Sequence, residues 1–135
     1  MKIKENITGI AELTAAAVLT VGPLTFFKAC GAHDGKYMAC HWAQNAVVLL
    51  GAVLILIALL RIILPDIGIK TGLSVSAALV SASVILIPGR VIALCMMDTM
   101  RCHSIFRPAV TVTAAVLLAV SVIDLVIGLK KTRRR

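Results

Sequence analysis

The hydrophobic pattern of the chain consists of four long apolar stretches separated by short polar segments. The stretches cover residues 7–27, 45–64, 71–94 and 108–129. Each comes close to the roughly 20 apolar residues that one helix needs to cross a bilayer. The pattern therefore predicts an all-α fold, in which four transmembrane helices form a bundle and residues 1–135 make one integral membrane domain.

Composition favours the membrane over a soluble fold. Hydrophobic residues make up 60% of the chain, its mean hydropathy is +1.02 and only 15% of its residues are charged, whereas soluble domains are about 45–50% apolar. The first apolar stretch is about 21 residues long, compared with about 7–15 for the apolar part of a signal peptide. It also contains Glu12. We therefore expect it to be a retained transmembrane helix.

The net charge of +8 is concentrated where it suits a membrane surface. A basic run directly follows the last apolar stretch, and such runs usually bind an anionic leaflet. The chain has few aromatic residues (one Trp, one Tyr and three Phe), whereas nucleic-acid binding needs a basic face with base-reading or stacking side chains. The lipid bilayer is thus the expected partner, and nucleic acid is not.

The distribution of lysine and arginine predicts the orientation. With four spans both termini share one side, and that side carries nine of the fourteen basic residues. Because basic residues favour the cytoplasm, we expect both termini and the turn at residues 65–70 in the cytoplasm of a prokaryotic cell, whose inner membrane holds the protein. The two remaining loops would then face an oxidising compartment.

Those two loops share a motif that contains every cysteine of the chain. Pro23 precedes Cys30 by seven residues, as Pro88 precedes Cys95, and each cysteine is followed by a Met-x-Cys-His element. The offset between the copies is 65 residues at the prolines and 62 at the Met-x-Cys-His elements. The repeat predicts two similar helical hairpins related by an axis along the membrane normal, a parallel repeat, with cysteine-bearing extracytoplasmic loops.

These motifs resemble the family known as domain of unknown function 4418. The resemblance is carried by Cys30, Met38-x-Cys40-His41-Trp42, Ile87-Pro88, Cys95, Met100-Arg101-Cys102-His103 and Pro108. It covers nearly the whole chain and implies a small prokaryotic four-span membrane protein, often associated with permease components of ABC export systems. It implies no activity and no functional residue. Arg90 and the heavy basic tail, which consists of Lys130, Lys131, Arg133, Arg134 and Arg135, depart from the family pattern.

The cysteine-rich elements leave several chemistries open. Two disulfides would fix the outer loops, pairing either Cys30 with Cys40 and Cys95 with Cys102, or the equivalent cysteines of the two copies. The alternative is a patch that binds copper or zinc, since thiolate, thioether and imidazole ligands suit these metals; haem ligation and thiol redox are further variants. The expected cofactor is none. The residues of this patch are Cys30, Cys40, Cys95, Cys102, His41, His103, Met38 and Met100.

Some ionisable residues within the apolar stretches lie at a similar distance from the cytoplasmic side, namely Glu12, Arg61 and Asp124. Ionisable residues inside a membrane are functional candidates, although the simpler interpretation is that they pair with each other or with Lys70 and Lys130, or reach the headgroups. We expect at least one of the acids to contact Arg61, in a layer that holds the helices together.

Small residues on the third stretch recur at a spacing of four, which is typical of close helix packing in lipid; they are Ser74, Ala78 and Ala82, with Ala77 and Ser81 beside them. Catalytic motifs are lacking. We therefore expect a non-enzymatic accessory or regulatory subunit of a larger membrane complex, such as an ABC-type export system. The alternative function is a metal-, haem- or thiol-handling membrane protein that uses the cysteine-rich patch.

Overall fold

The computed structural model describes residues 2–26, 35, 39–92 and 102–135, with the backbone alone for Lys2, Cys40 and Cys102. Within these ranges the chain forms four long helices, and a five-residue π-helix runs directly into the fourth. Each long helix is long and apolar enough to cross a membrane. They are α1 (Lys2–Thr25), α2 (Ala39–Ile63), α3 (Ile67–Leu86) and α4 (Arg107–Arg133), the last preceded by the π-helix Cys102–Phe106.

Ion pairs show which helix ends lie together. Glu5, in the first turn of α1, contacts Lys70 near the start of α3 and Lys131 near the end of α4. Both termini and the connection at residues 64–66 therefore occupy one end of the bundle, here called the terminal end; the opposite end is the loop end. The most extensive helix contacts are between α3 and α4, followed by those between α1 and α2, and α1 also packs on α4.

The interior of the described bundle is filled by small and branched side chains. Its fully buried members come from all four helices and include Ala16, Leu19, Val47, Leu54, Ala77, Val84, Val110, Ala114 and Leu117. Small residues let helix backbones approach closely in lipid. A Cβ at Gly51 would lie only 2.4 Å from the Thr20 hydroxyl oxygen, so α1 and α2 are in near contact there. A Cβ at Gly128 would lie 2.7 Å from the Thr71 hydroxyl oxygen of α3.

The third helix differs most from the predicted span of 71–94. It begins at Ile67, so the predicted turn at 65–70 is reduced to residues 64–66, and it ends at Leu86. Pro88 has no N–H to continue the helix, and Gly89 adopts a φ of 88°, which glycine reaches without strain. The chain turns back here, with Val91 N–H donating to the Leu86 carbonyl and Ile92 N–H to that of Ile87.

Other helices also begin before their predicted spans, and α1 begins at Lys2 rather than Ile7. The second helix starts at Ala39 rather than Asn45, and its first turns include polar residues, of which Gln44 is buried in the bundle and Asn45 is exposed. The segment before Pro108 was expected to be loop, but it is the π-helix. The expected position of Pro108 in the first turn of α4 is confirmed, where its missing N–H has no partner to lose.

The small residues of α3 pack inside the chain. Ser74, Ala77 and Ser81 are buried, and Ala78 and Ala82 are half-buried. The most extensive contacts of α3 are with α4. The close-packing surface expected from the spacing of these residues is therefore used largely within this protein.

Candidate functional site, a buried charge network at the terminal end

The centre of the network is the guanidinium group of Arg61, in the last turn of α2. Its Nη1 lies 2.6 Å from Oε2 of Glu12 on α1, and the same nitrogen donates to Oδ2 of Asp124 on α4. The expected contact between Arg61 and at least one acid is thus present with both. One nitrogen atom joins three helices.

Burial makes this inner layer energetically important. Glu12 is 0% exposed, Asp124 6% and Arg61 7%. Ser121, one turn before Asp124, donates to Oε1 of Glu12 at 3.4 Å. Among the described residues no buried side-chain nitrogen or oxygen lacks a hydrogen-bond partner. Because unpaired charges are costly in a low-dielectric interior, the three charges must hold each other in place.

A second, outer layer of charges lies nearer the terminal end. Oε1 of Glu5 accepts a hydrogen bond from Lys131 Nζ at 2.7 Å, and its Oε2 is 3.8 Å from Lys70 Nζ. Glu5 precedes Glu12 by seven residues on α1, which places it about 10 Å further along the helix axis. The side chains of the outer layer are only partly buried, so water screens them more than the inner layer.

The two layers balance each other in charge. The inner layer contains two acids and one base, a formal charge of −1, whereas the outer layer contains one acid and two bases, a formal charge of +1. Half of the six acidic residues of the chain are used in this network. The outer layer lies above the inner one because residues seven apart, such as Glu5 and Glu12, lie on the same face of a helix.

Two hollows adjoin the network. A small cavity of about 30 Å³, the size of roughly one water molecule, lies beside Ser74, Asp124 and Gly128. A larger groove of about 460 Å³ runs between the start of α1 and the end of α4. Asp124 lines both, so the inner layer borders space that opens at the terminal end.

Most of the cysteine-rich patch lies outside the described residues. Cys30, Met38, Cys95 and Met100 belong to undescribed segments, and the side chains of Cys40 and Cys102 are not described either. The disulfide and metal hypotheses therefore stay predictions. The backbone does place Cys40 at the start of α2 and Cys102 at the start of the π-helix, both at the loop end.

The two histidines of the patch are described. Nε2 of His41 lies 3.3 Å from Nδ2 of Asn45, one turn along α2, and its ring meets that of Trp42 edge-on with 6.4 Å between centroids. His103 is half-buried in the π-helix. Among the side chains that the structure describes, no group of three or more His, Cys, Asp or Glu residues is arranged to hold a metal ion.

The inner layer is predicted by the sequence pattern, whereas the outer one is not. Glu5 stands in a short basic segment, and the expected lysine partners of the inner acids were Lys70 and Lys130. The structure pairs Lys70 and Lys131 with Glu5 instead. A signal was available in the seven-residue spacing of Glu5 from Glu12 and of Asp124 from Lys131.

Four apolar helices, three of which are joined by a buried layer of charges, define a multi-pass membrane protein of all-α fold. The family model for domain of unknown function 4418 matches residues 12–127. The chain belongs to this family, as its motifs indicated. Comparison with curated proteins and with solved structures gives no match.

Proposed function

We propose that the protein is a non-enzymatic accessory or regulatory subunit of a larger membrane complex, of the ABC export type that the family resemblance implies. The observation that supports this proposal is the division between paired charges inside the bundle and apolar side chains on its outer faces. On α2, Leu49, Leu56 and Ile63 are spaced by seven residues and are 67%, 60% and 72% exposed. Such a stripe suits contact with lipid or with the helices of another subunit.

The packed interior supports a structural role. Leu19, Val47, Leu54 and Leu117 are each no more than 2% exposed, and both acids of the inner layer are paired with Arg61. A side chain that already has its charge partner is poorly placed for proton transfer to a substrate. The proposal therefore assigns the network to assembly of the bundle.

The membrane arrangement belongs to the same proposal. Both termini lie in the cytoplasm of a prokaryotic cell, whose inner membrane holds the protein, and the loop end faces outward. The bundle consists of two similar hairpins, α1 with α2 and α3 with α4, whose cysteine-bearing loops are closed by disulfides. No cofactor is required. The basic terminal end, which includes Lys70, Lys130 and Lys131, supports this orientation because basic residues favour the cytoplasm.

Site-specific photocrosslinking in living cells tests the proposal. A photoreactive amino acid replaces one exposed residue on each helix, at positions of similar exposure: Ile10 at 58%, Leu56 at 60%, Leu79 at 66% and Val112 at 63%. A subunit that packs against a partner gives protein adducts on one or two helices and lipid adducts on the others. The buried Leu54 serves as the control position, which should crosslink only within the chain.

The result has clear alternatives. A permease component identified in the protein adducts supports the export-system assignment. A partner of another class retains the accessory role but contradicts that assignment. Lipid adducts alone at all four positions contradict the proposed function.

A further inference from the structure

The groove between α1 and α4 combines basic side chains with an apolar wall. Its volume is about 460 Å³, and it is lined by Lys4, Glu5, Thr8, Asp124, Ile127, Lys130, Lys131 and Arg134. The basic members come from two helices that meet at the terminal end. The groove is thus formed by the fold, and not by the basic tail alone.

Three of these bases are available to an anion. Lys131 is engaged by Glu5, whereas Lys4, Lys130 and Arg134 form no ion pair within the part of the chain that the structure describes. All three are exposed at the rim of the groove. Together they carry three positive charges around a space large enough for a substituted phosphate group, which lysine and arginine both bind through charge-assisted hydrogen bonds.

The apolar wall distinguishes a lipid from a free phosphate. On α4, Ile123, Ile127, Lys130 and Arg134 follow the i, i+4, i+7, i+11 spacing of one helix face. Ile127 lines the groove and is 40% exposed, and Ile123, one helical turn further from the terminal end and outside the groove lining, is 54% exposed. A ligand whose phosphate meets the bases would therefore place its next atoms against an apolar track that continues along the span.

We propose that this groove is a binding site for an anionic phospholipid, whose phosphate lies among Lys4, Lys130 and Arg134 and whose acyl chain lies along Ile127 and Ile123. Basic pockets between transmembrane helices near the cytoplasmic side bind such headgroups. This inference is independent of the proposed accessory function, because it requires no partner subunit.

The tail provides a matched pair of variants. Lys130→Gln with Arg134→Gln removes two charges that line the groove, whereas Arg133→Gln with Arg135→Gln removes two charges of the same tail that do not line it. Both double variants lower the net charge equally. Full-length protein in a neutral detergent is titrated with short-chain phosphatidylglycerol and, separately, phosphatidylcholine, and bound lipid is counted by native mass spectrometry. About 0.15 M salt is present because it screens charges further apart than about 8 Å.

The groove variant should bind phosphatidylglycerol about tenfold more weakly than the unchanged protein, because each basic residue near an anionic headgroup contributes several-fold to affinity. The tail variant should change by less than about twofold. Equal losses in both variants would show general attraction to the tail and overturn the proposal. Displacement of the lipid by millimolar glycerol phosphate, or equal binding of phosphatidylcholine, would also overturn it, since the acyl chain or the anionic charge would then be unnecessary.

Discussion

Replacing Arg61 with methionine removes the only base of the inner layer while leaving both of its carboxylates in place. Glu12 is 0% exposed and Asp124 6%, so neither can recover full hydration in the folded protein. Removing one partner of a buried ion pair costs about 3–5 kcal/mol because the remaining charge has no partner. Here two carboxylates are left, and they share a single former partner atom, Arg61 Nη1.

The network also predicts an order among the other variants. Glu12→Gln leaves Arg61 paired with Asp124, which is a balanced pair, so the loss should be only that of one charge-assisted hydrogen bond, about 1.5 kcal/mol. Arg61→Lys should lose less than half as much as Arg61→Met, because both acids bind one nitrogen atom and a lysine ammonium also offers one. Combining Arg61→Met with Glu12→Gln and Asp124→Asn should recover about half of the loss, since no buried charge then remains.

The measurement is the free energy of unfolding in a mixed-micelle titration with denaturing detergent. Ile62→Met serves as the control for a methionine at this end of α2, because Ile62 is 47% exposed. A change of less than about 0.5 kcal/mol in Arg61→Met, the size expected of a surface substitution, would refute the reasoning. It would mean that the carboxylates of Glu12 and Asp124 are hydrated in the membrane-embedded protein.

Four further predictions address other parts of the molecule. Gly51→Ala should destabilise the protein by about 1–3 kcal/mol, because the added methyl group overlaps Thr20. At Gly72 an added Cβ would meet nothing within 4 Å, so Gly72→Ala should be neutral or stabilising by up to about 1 kcal/mol. Equal effects of the two changes would contradict the close approach of α1 and α2 at Gly51. Glu5→Gln should cost only about 0.2–1 kcal/mol, and the difference should shrink in high salt because the outer layer is partly exposed; a loss as large as that of Arg61→Met would contradict the distinction between the layers. Tags at both termini should report the cytoplasm, and cysteines introduced at Gly35 and Ser104 should react with an impermeant maleimide from outside; the opposite labelling would reverse the proposed orientation. Cys40→Ser and Cys102→Ser should each cost about 2–4 kcal/mol if the cysteines form disulfides, with much smaller losses for His41→Ala and His103→Ala; equal losses together with bound copper or zinc would favour the metal hypothesis.

The four helices could be predicted because hydropathy in a membrane protein reports directly on the solvent of each segment. The ends of the helices could not be predicted in this way, because hydropathy does not show where the backbone stops being helical. Val91 and Ile92 continue the apolar pattern of the third span, yet the chain has already turned at Pro88 and Gly89. The Pro-Gly dipeptide was a turn signal, but the apolar residues after it made a longer helix look reasonable.

The inner charge layer could be predicted from depth alone, since the bilayer leaves few ways to satisfy Glu12, Arg61 and Asp124 other than mutual contact. Depth could not show that both acids meet the same nitrogen atom, which depends on how the three helices rotate. The outer layer could not be predicted because Glu5 lies where water could solvate it. A solvated carboxylate does not require a partner, so the partners of Glu5 depend on how the helices pack. The groove could not be predicted either, because the sequence of a basic tail does not show whether another helix lies beside it.

The two layers explain how such an apolar bundle acquires a defined arrangement. Helices in lipid gain little from the hydrophobic effect when they associate, because lipid tails are as apolar as their side chains. The exposed apolar residues of α2 therefore do little to fix its position. Arg61 does fix it, because sliding α2 by one turn would separate its guanidinium from Glu12 and Asp124 by about 5 Å. Helix α3 has no member in the inner layer and is positioned instead by close contacts such as Thr71 with Gly128. Buried charge thus sets the register of α1, α2 and α4, whereas α3 is held by close contacts of small residues and by the outer pair of Lys70 with Glu5.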